Sequence, residues 1–330
     1  MSVERGTLSL NYRKREKRLQ YLTLDVFSLI TTFSTRFLGI FIEAVSFLLL
    51  GTLISGLLES FVTHDDIVRL MPRRTIPAIL VGSLLGFVFP VCECGVVPVT
   101  RKLYQKGLPI SVGITFLLAA PVMNPIVLAS TYAAFGIGPV LIGRYAISWI
   151  MAVGIGLLFS FQPNSQRVIN PATLAAISGG SAEANVMPQT RMALLPGLKH
   201  ALQAASGEFF EMGRYLIVGS LLAALMQTFI SQESLKALAS SPVNSVVVMA
   251  ALAFVLSLCS TVDAFLALSF ARTFTVGSIL TFLTFGPMVD IKTTSMYLGM
   301  FRRRTVVYLV VLPLLISTLF GIWLNLNVRF

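Results

Sequence analysis

Residues 78–98 read AILVGSLLGFVFPVCECGVVP, an apolar run that ends in two thiols and a carboxyl group between two prolines. Proline lacks a backbone N–H donor and glycine adopts dihedral angles that other residues avoid, so Pro90, Gly95 and Pro98 predict a break in a helix. Within a bilayer, broken backbone is tolerated only where it is buried in protein or lines a polar cavity. The stretch therefore predicts an interrupted membrane helix whose break faces the protein interior.

The composition indicates an all-α, polytopic membrane protein. The 330 residues are 55% hydrophobic and 12% charged, and the mean hydropathy is +0.84, whereas soluble domains are about 25% charged. The apolar residues form blocks of about 20 or more, the length of a helix that spans a bilayer. Residues 19–35 are expected to lie at the membrane interface. About eight spans are predicted, over 37–62, 75–98, 110–135, 138–161, 209–232, 243–271, 274–299 and 305–326.

The formal net charge of +11 does not indicate nucleic-acid binding. Much of the positive charge lies in NYRKREKR, residues 11–18, ahead of the first strong apolar block. Such a basic flank is typical of the cytoplasmic side of a membrane protein, where it also attracts anionic lipid. The run is interpreted as a topology signal that places the N-terminus in the cytoplasm.

The chain is predicted to divide into two membrane halves. Residues 162–207 are rich in Gly, Ser, Asn and Pro, a composition typical of a flexible linker. The predicted units are a basic cytoplasmic or interfacial segment (1–36), a first membrane repeat (37–161), the polar linker (162–207) and a second membrane repeat (208–330).

The halves share landmarks at nearly constant spacing, which predicts an internal duplication. The motif VCECG aligns with LCSTV, and FLLAAPVMNP aligns with FLTFGPMVDI. Internal repeats are a common plan of transporters, whose substrate site lies between the two units. The aligned pairs are Glu43 with Glu211, Cys92 with Cys259, Pro121 with Pro287 and Asn124 with Asp290.

The orientation of the repeats stays open at this point. Eight plain crossings make them parallel, but they place the arginines of RRR, residues 302–304, outside, which the positive-inside rule disfavours. If a proline-interrupted span such as 90–98 or 287–293 turns back without crossing, the parity changes and the repeats become inverted.

The cysteines Cys92, Cys94 and Cys259 are predicted to be free thiols that face one point. Residues two apart on a continuous helix point about 200° away from each other, so Cys92 and Cys94 converge only if the helix breaks. If the repeats pack across an axis, Cys259 approaches them. Thiolates select soft species such as Cu(I) and Zn(II), and trivalent arsenic follows the same preference. The alternative is that these cysteines are small apolar residues of the core.

Further residues inside the apolar spans are predicted to line a substrate pathway. A charge at the centre of a membrane helix costs about 2.5–3.5 kcal/mol, so it usually faces a cavity or a partner. Glu43 and Glu211 are expected to be either interfacial carboxylates or a protonatable pair that couples transport to proton movement. Besides Pro90, Gly95 and Pro98, the predicted pathway residues are Glu93, Pro121, Asn124, Thr261, Asp263, Pro287, Asp290 and Lys292.

The motifs PVCECGVVPVTRKLYQKGLP, FLLAAPVMNPIVL and SLCSTVDAF resemble the predicted permease family that includes the organoarsenical efflux permeases. The resemblance covers nearly the whole membrane region, and it implies a multi-spanning permease of the bacterial inner membrane. In the arsenical branch it implies that cysteines recognise trivalent organoarsenicals for export, and other members resemble copper or zinc exporters. This role carries over to Cys92, Cys94 and Cys259. Where members commonly have a small residue between the two cysteines, this chain has Glu93, which leaves room for a cation.

These features predict a secondary permease, without a cofactor, that exports a thiophilic metal, metalloid or organoarsenical. The sequence contains no Walker-type loop, so an ion gradient is the expected power source. A permease for an unrelated solute, with structural cysteines, is the first alternative. An intramembrane enzyme is the second, but His64 and His200 lie outside the predicted spans. The expected partners are membrane lipid and the small substrate, with no nucleic acid, and homo-oligomer formation stays open.

Overall fold

The computed structural model describes residues 2–89, 91–161, 168–170, 194–229, 241–271 and 273–327, with side chains from Phe27 onward. Pro90 and most of the predicted linker lie outside these residues. The described chain forms thirteen helices. They are α1 (Ser2–Phe61), α2 (His64–Leu70), α3 (Thr75–Val88), α4 (Glu93–Gln105), α5 (Ile110–Met123), α6 (Pro125–Phe135), α7 (Pro139–Ser160), α8 (Leu194–Phe229), α9 (Pro242–Leu256), α10 (Asp263–Phe270), α11 (Val276–Phe285), α12 (Ile291–Met300) and α13 (Arg303–Asn327).

The predicted class, an all-α polytopic membrane protein with interrupted helices, is confirmed. Five helical segments are long and apolar enough to cross a bilayer, and three shorter helices are equally apolar. Each of the eight predicted spans coincides with one of them. The predicted interfacial element 19–35 is not separate, because α1 continues through it without a break. The five long segments are Phe27–Phe61, Ile110–Phe135, Pro139–Ser160, Leu195–Phe229 and Arg303–Asn327.

The first interrupted span turns back instead of crossing. Helix α3 ends at Val88 and α4 begins at Glu93, so the helix breaks as predicted, but Gly95 and Pro98 lie inside α4 and not in the break. The return is fixed by the end of α4, since Lys102 Nζ lies 2.7 Å from Glu59 Oε2 near the end of α1. The ring of His64, just beyond α1, lies 2.9 Å from the carbonyl oxygen of Lys106. Helices α3 and α4 therefore form a hairpin that enters and leaves at one end of the fold.

The second half contains a matching hairpin, formed by α9 and α10 around residues 257–262. The side chain of Asn325 contacts the carbonyl of Pro242, where α9 begins, and the N–H of Gly277, where α11 begins, at 3.1 and 3.0 Å. Both starts therefore lie at the same end of the fold. Since α10 leads directly into α11, the α9–α10 pair also returns to the end from which it came.

The first helices of the two halves run antiparallel. Near one end of the pair Arg36 contacts the carbonyl of Gln227, and near the other Ser55 Oγ lies 2.6 Å from Glu208 Oε2. Opposite directions of equivalent helices are what inverted repeats require. Both halves also have the same element order, a long helix, a hairpin, an interrupted helix and a further long helix. The duplication itself stays a prediction.

Because of the hairpins, the arginines at 302–304 lie on the same side as the end of α4, whereas eight plain crossings would place them on opposite sides. The short bridge between Ile169 and Phe301, and the edge-on contact of Tyr104 with Phe301, place Arg302–Arg304 beside the end of α4. This end of the fold, where α7 stops and α8 starts, is called the linker face. Helix α1 begins at the other end, so residues 11–18 and the three arginines lie on opposite sides.

Single-cysteine labelling tests the hairpin. With the three native cysteines replaced by serine, Asp65→Cys and Pro109→Cys should react with a membrane-impermeant maleimide from one side of the membrane. Ile137→Cys, in the exposed turn between α6 and α7, should react from the other side. Labelling of Asp65→Cys and Pro109→Cys from opposite sides would show that residues 75–98 cross the bilayer. The same reactions decide which face is cytoplasmic.

Candidate functional site

The candidate site lies where the first hairpin meets the interrupted helix of the second half. Helix α4 starts at Glu93 with Cys92 as its N-cap residue, and α12 starts at Ile291 with Asp290 as its N-cap residue. Glycine permits the close approach that holds α4, because a side chain at Gly51 of α1 would overlap the backbone of Gly95. The N-termini of α4 and α12 meet inside the bundle, where Lys292 lies near Glu93.

Three charged side chains form the centre of the site, and they are named the buried triad: Glu93, Asp290 and Lys292. The Lys292 Nζ atom lies 3.7 Å from Glu93 Oε1 and 3.6 Å from Asp290 Oδ2. All three residues are 1–2% exposed. Lys292 therefore links the two halves electrostatically, because Glu93 belongs to the first half and Asp290 to the second.

The two carboxylates of the triad differ in their other contacts. The Oδ1 atom of Asp290 accepts hydrogen bonds from the N–H and hydroxyl of Thr293, at 2.7 and 2.8 Å, in a capping box. The Oδ2 atom of Asp290 and the Oε2 atom of Glu93 are buried without a hydrogen-bond partner. Asp290 thus has a structural role in starting α12, and each of the two carboxylates keeps one oxygen without a hydrogen-bond partner.

A second ion pair joins the halves at the other hairpin. The guanidinium of Arg144, on α7, contacts both carboxylate oxygens of Asp263 at 3.0 and 2.7 Å. It also donates to Thr131 Oγ1 at 2.9 Å and to the carbonyl of Ser260 at 3.3 Å. Bidentate arginine–carboxylate pairs are strong and geometrically specific. This pair fixes the loop 257–262, and the sequence, which places both charges inside apolar spans, did not indicate that they pair.

The three thiols are buried, but they are not gathered into a complete metal site. Cys92 lies within electrostatic range of Glu93 and Cys259, and Cys94 within range of Lys292. The hydroxyl of Thr261 lies 3.5 Å from Cys259 Sγ. Among the residues that the structure describes, no three Cys, His, Asp or Glu side chains form a group that could hold a metal ion.

Of the remaining predicted pathway residues, Asn124, Pro121 and Pro287 lie at or beside the breaks, whereas Pro98 lies inside α4. Asn124 is the N-cap residue of α6 and accepts from the N–H of Val127 at 2.9 Å, as Asp290 does for α12. Pro121 is buried in the last turn of α5, and Pro287 is buried in the turn between α11 and α12. Pro98 contacts the hydroxyl of Ser55 through its carbonyl oxygen, at 3.3 Å. Pro90 cannot be placed, since it lies outside the described residues.

Glu43 and Glu211 occupy matching positions in α1 and α8 but have different surroundings. Glu43 is half-buried and within electrostatic range of Glu93 and Lys292. Glu211 forms an ion pair with Arg101 at 2.7 Å, and 38% of its side chain is exposed. The antiparallel arrangement of α1 and α8 separates the two carboxylates, so they do not form one pair.

Sequence reasoning missed Glu208, which lies near the linker face. Glu208 is 5% exposed, is bonded to Ser55, and has a second carboxylate oxygen without a partner. Arg101 and Lys102 lie within its electrostatic range. Its spacing of three residues from Glu211 places both carboxylates on one face of α8, and this spacing could have indicated the cluster.

Removal of the central ammonium should destabilise the protein. Lys292→Met leaves two carboxylates buried without a counter-charge, and breaking a buried pair in this way costs about 3–5 kcal/mol. The measurement is thermal unfolding in detergent. The double variant Glu93→Gln with Lys292→Met should recover much of the loss, because only the capping carboxylate then stays charged. Equal stability of Lys292→Met and the native chain would show that the triad does not hold the halves together.

Comparisons with known proteins find similarity to predicted membrane permeases. The sequence profile of a family described as a predicted permease matches residues 29–326. A protein of Bacillus subtilis (strain 168) named UPF0718 protein YcgR is 42% identical over 275 residues, which are 83% of this chain and 90% of that protein. A putative two-component membrane permease complex subunit of Streptococcus mutans serotype c is 36% identical over 275 residues, 83% of this chain and 88% of that protein. No solved structure matches the chain.

Proposed function

Because the chain belongs to the predicted permease family, we propose that it is a secondary permease whose cargo passes between its two halves, at the buried triad. The observation that carries this proposal is the meeting of two interrupted helices around Glu93 and Lys292. Transporters bind their substrates at such breaks, where half-helix ends and charged groups replace water. An ion gradient supplies the energy.

The proposed cargo is a thiophilic metal, metalloid or organoarsenical, and the proposed direction is export. The support is that Cys92 and Cys259 come from opposite halves and lie within electrostatic range of each other. A soft ion bound between these two thiols would hold the halves together, and the halves would separate when the ion dissociates. Cys94 lies one residue beyond Glu93 on the same helix, so all three thiols border the triad.

The two alternatives have different support. An unrelated solute, with structural cysteines, is favoured by the lack of a complete metal-binding group among the described side chains. An enzyme has less support, because both histidines are engaged at the linker face. His64 contacts the carbonyl of Lys106, and His200 lies 3.3 Å from Ser60 Oγ. Neither is placed to act as a base beside the triad.

The proposed location is the bacterial inner membrane, with the N-terminus in the cytoplasm as the basic run 11–18 predicts. Lipid surrounds the exposed apolar side chains of the long helices. The Streptococcus mutans relative is named as a putative subunit of a two-component membrane permease complex, so a second membrane protein is proposed as a partner, alongside self-association. Purification of the full chain from its native membrane distinguishes the two.

Growth assays test the role of the thiols. A strain that lacks the gene should become sensitive to at least one of arsenicals, antimonite, copper or zinc, and the native chain should restore resistance. Cys92→Ser and Cys259→Ser should each abolish that restoration, since a serine hydroxyl is a poor ligand for soft ions. The measurement is the inhibitory concentration at equal protein expression.

Ser148→Ala provides a matched control, because it too changes the terminal atom of a small, buried side chain. It lies on α7, which carries none of the three cysteines, and should leave resistance unchanged. Resistance that persists in both cysteine variants would exclude a thiol-dependent cargo and favour the unrelated solute. A native chain that protects against none of the four would exclude a thiophilic cargo as well.

A further inference from the structure

A buried carboxylate near the linker face has no ion-pair partner. Glu208, on α8, is 5% exposed, and no lysine, arginine or histidine of the described residues forms an ion pair with it. Its Oε2 atom accepts a hydrogen bond from Ser55 Oγ at 2.6 Å, while its Oε1 atom is buried without a hydrogen-bond partner. An ionised carboxylate in such surroundings is costly, so buried charges are usually paired or neutralised by a proton.

The lack of an ion pair distinguishes Glu208 from the other carboxylates that the structure describes as buried. Each of the other three lies beside a basic side chain. The partners are Lys292 for Glu93 and Asp290, and Arg144 for Asp263. Burial of a lone carboxylate costs more than burial of a paired one, because no opposite charge offsets the lost hydration. Glu208 is therefore the one of the four whose charge no described side chain compensates at ion-pair distance.

Two cations of α4 lie within electrostatic range of Glu208, but both are engaged with other carboxylates. Arg101 forms an ion pair with Glu211 of α8, at 2.7 Å. Lys102 forms one with Glu59 of α1, at 2.7 Å. Glu59 also adds a further negative charge to the surroundings of Glu208. The two cations therefore attract Glu208 toward α4 without pairing with it.

Polar side chains lie along the contact of α1 with α8, between the linker face and Glu208. His200, about two turns before Glu208 on α8, is the further titratable group on this contact, and it lies 3.3 Å from Ser60 Oγ of α1. Ser55 lies deeper on α1, where it bonds to Glu208. A proton that enters from the linker face thus meets an imidazole and hydroxyl groups on the way to Glu208.

Ser55 connects Glu208 to the first hairpin. Its hydroxyl has one hydrogen to donate and two acceptors within reach, Glu208 Oε2 at 2.6 Å and the carbonyl oxygen of Pro98 at 3.3 Å. Ser55 belongs to α1, Pro98 to α4 and Glu208 to α8, so three helices meet at one hydroxyl group. While Glu208 is ionised it holds this hydrogen, because a carboxylate is a stronger acceptor than a neutral carbonyl group.

We propose that Glu208 binds a proton from the linker face, and that this proton weakens the contact of α4 with α8 and strengthens its contact with α1. The proton forms an O–H bond at Glu208 Oε2, and this O–H donates to Ser55 Oγ. The Ser55 hydrogen is then available to the carbonyl of Pro98, within the first half. Neutral Glu208 no longer attracts Arg101 and Lys102 toward the second half. This contact goes beyond the proposed cargo site, since it involves neither the thiols nor the triad.

Infrared spectroscopy of the full chain in detergent tests the proton site. As the pH is lowered, the native chain should gain a carbonyl-stretch band of a protonated carboxyl group, and Glu208→Gln should lose a component of it. Glu43→Gln is the matched control, because it removes a half-buried carboxylate near the triad, and it should keep that component. A native chain without a pH-dependent band, or a Glu208→Gln spectrum equal to the native one, would overturn the inference.

Pulsed electron paramagnetic resonance tests the effect on the hairpin. With the native cysteines replaced by serine, spin labels at Pro109→Cys, just beyond α4, and Lys199→Cys, on α8, report the distance between the two elements. In the chain that keeps Glu208, this distance should increase when the pH is lowered, because α4 is no longer attracted to α8. With Glu208→Gln it should equal the low-pH value at every pH. Distances that respond to pH in both chains, or in neither, contradict the proposal.

Glu208→Gln should fold, since its amide oxygen still accepts from Ser55 and no ion pair is lost. If it does not purify as a monodisperse protein, Ser55→Ala replaces it. That variant removes the donor to the ionised carboxylate, so the pH at which the carboxyl band is half-maximal should shift from the native value. An unchanged midpoint in Ser55→Ala would also overturn the assignment. None of these measurements involves a cargo, so their failure is distinct from failure of the growth assays, which test the proposed function.

Discussion

The constraint on which the rest of the structure depends is that polar backbone groups inside a bilayer must be shielded from lipid by other parts of the protein. Each hairpin and each interrupted helix frees backbone groups at its break, and lipid cannot hydrogen-bond to them. The chain meets this constraint by placing its helix breaks at the interface between its halves. There, side chains beside the breaks cap the helix ends and form ion pairs with the opposite half. Asn124 and Asp290 cap the resumed helices, and Lys292 and Arg144 bind carboxylates from the opposite half. Burial of charge is thus a consequence of where the helices break.

The antiparallel packing of the first helices of the two halves follows from the hairpins. Each hairpin occupies the length of a span without crossing, so each half crosses the membrane an odd number of times. Consequently α8 begins on the side where α1 ends, and the two helices pack antiparallel along their length. A site at the interface between two oppositely oriented units can be reached from either side of the membrane, one side at a time. Such symmetry is the usual basis of alternating access in secondary transporters.

The sequence predicted the membrane class, the position of the helices and the breaks, because these depend on local composition and on proline and glycine. The break before Glu93 and the matched caps at Asn124 and Asp290 are found where the motifs place them. Hydropathy could not distinguish a hairpin from a crossing, because both are apolar and similar in length. The return of α4 depends on Lys102 meeting Glu59, a contact between distant segments. The pairing of Arg144 with Asp263 is likewise tertiary, since 119 positions separate the two residues.

The two electrostatic bridges between the halves that lie at the hairpin breaks differ in kind. Arginine stays protonated at every physiological pH, and the Arg144–Asp263 pair is bidentate with close hydrogen bonds. Lys292 meets Glu93 at 3.7 Å, beyond a normal hydrogen bond. The second hairpin is therefore held to the first half by a close bidentate pair, whereas at the triad the first hairpin meets the second half at a longer distance. The close ion pair of the first hairpin with the second half, Arg101 with Glu211, lies near the linker face instead. Despite its near-symmetric plan, the molecule thus joins its halves unequally at depth, by a close bidentate pair at one hairpin and by a longer contact at the other.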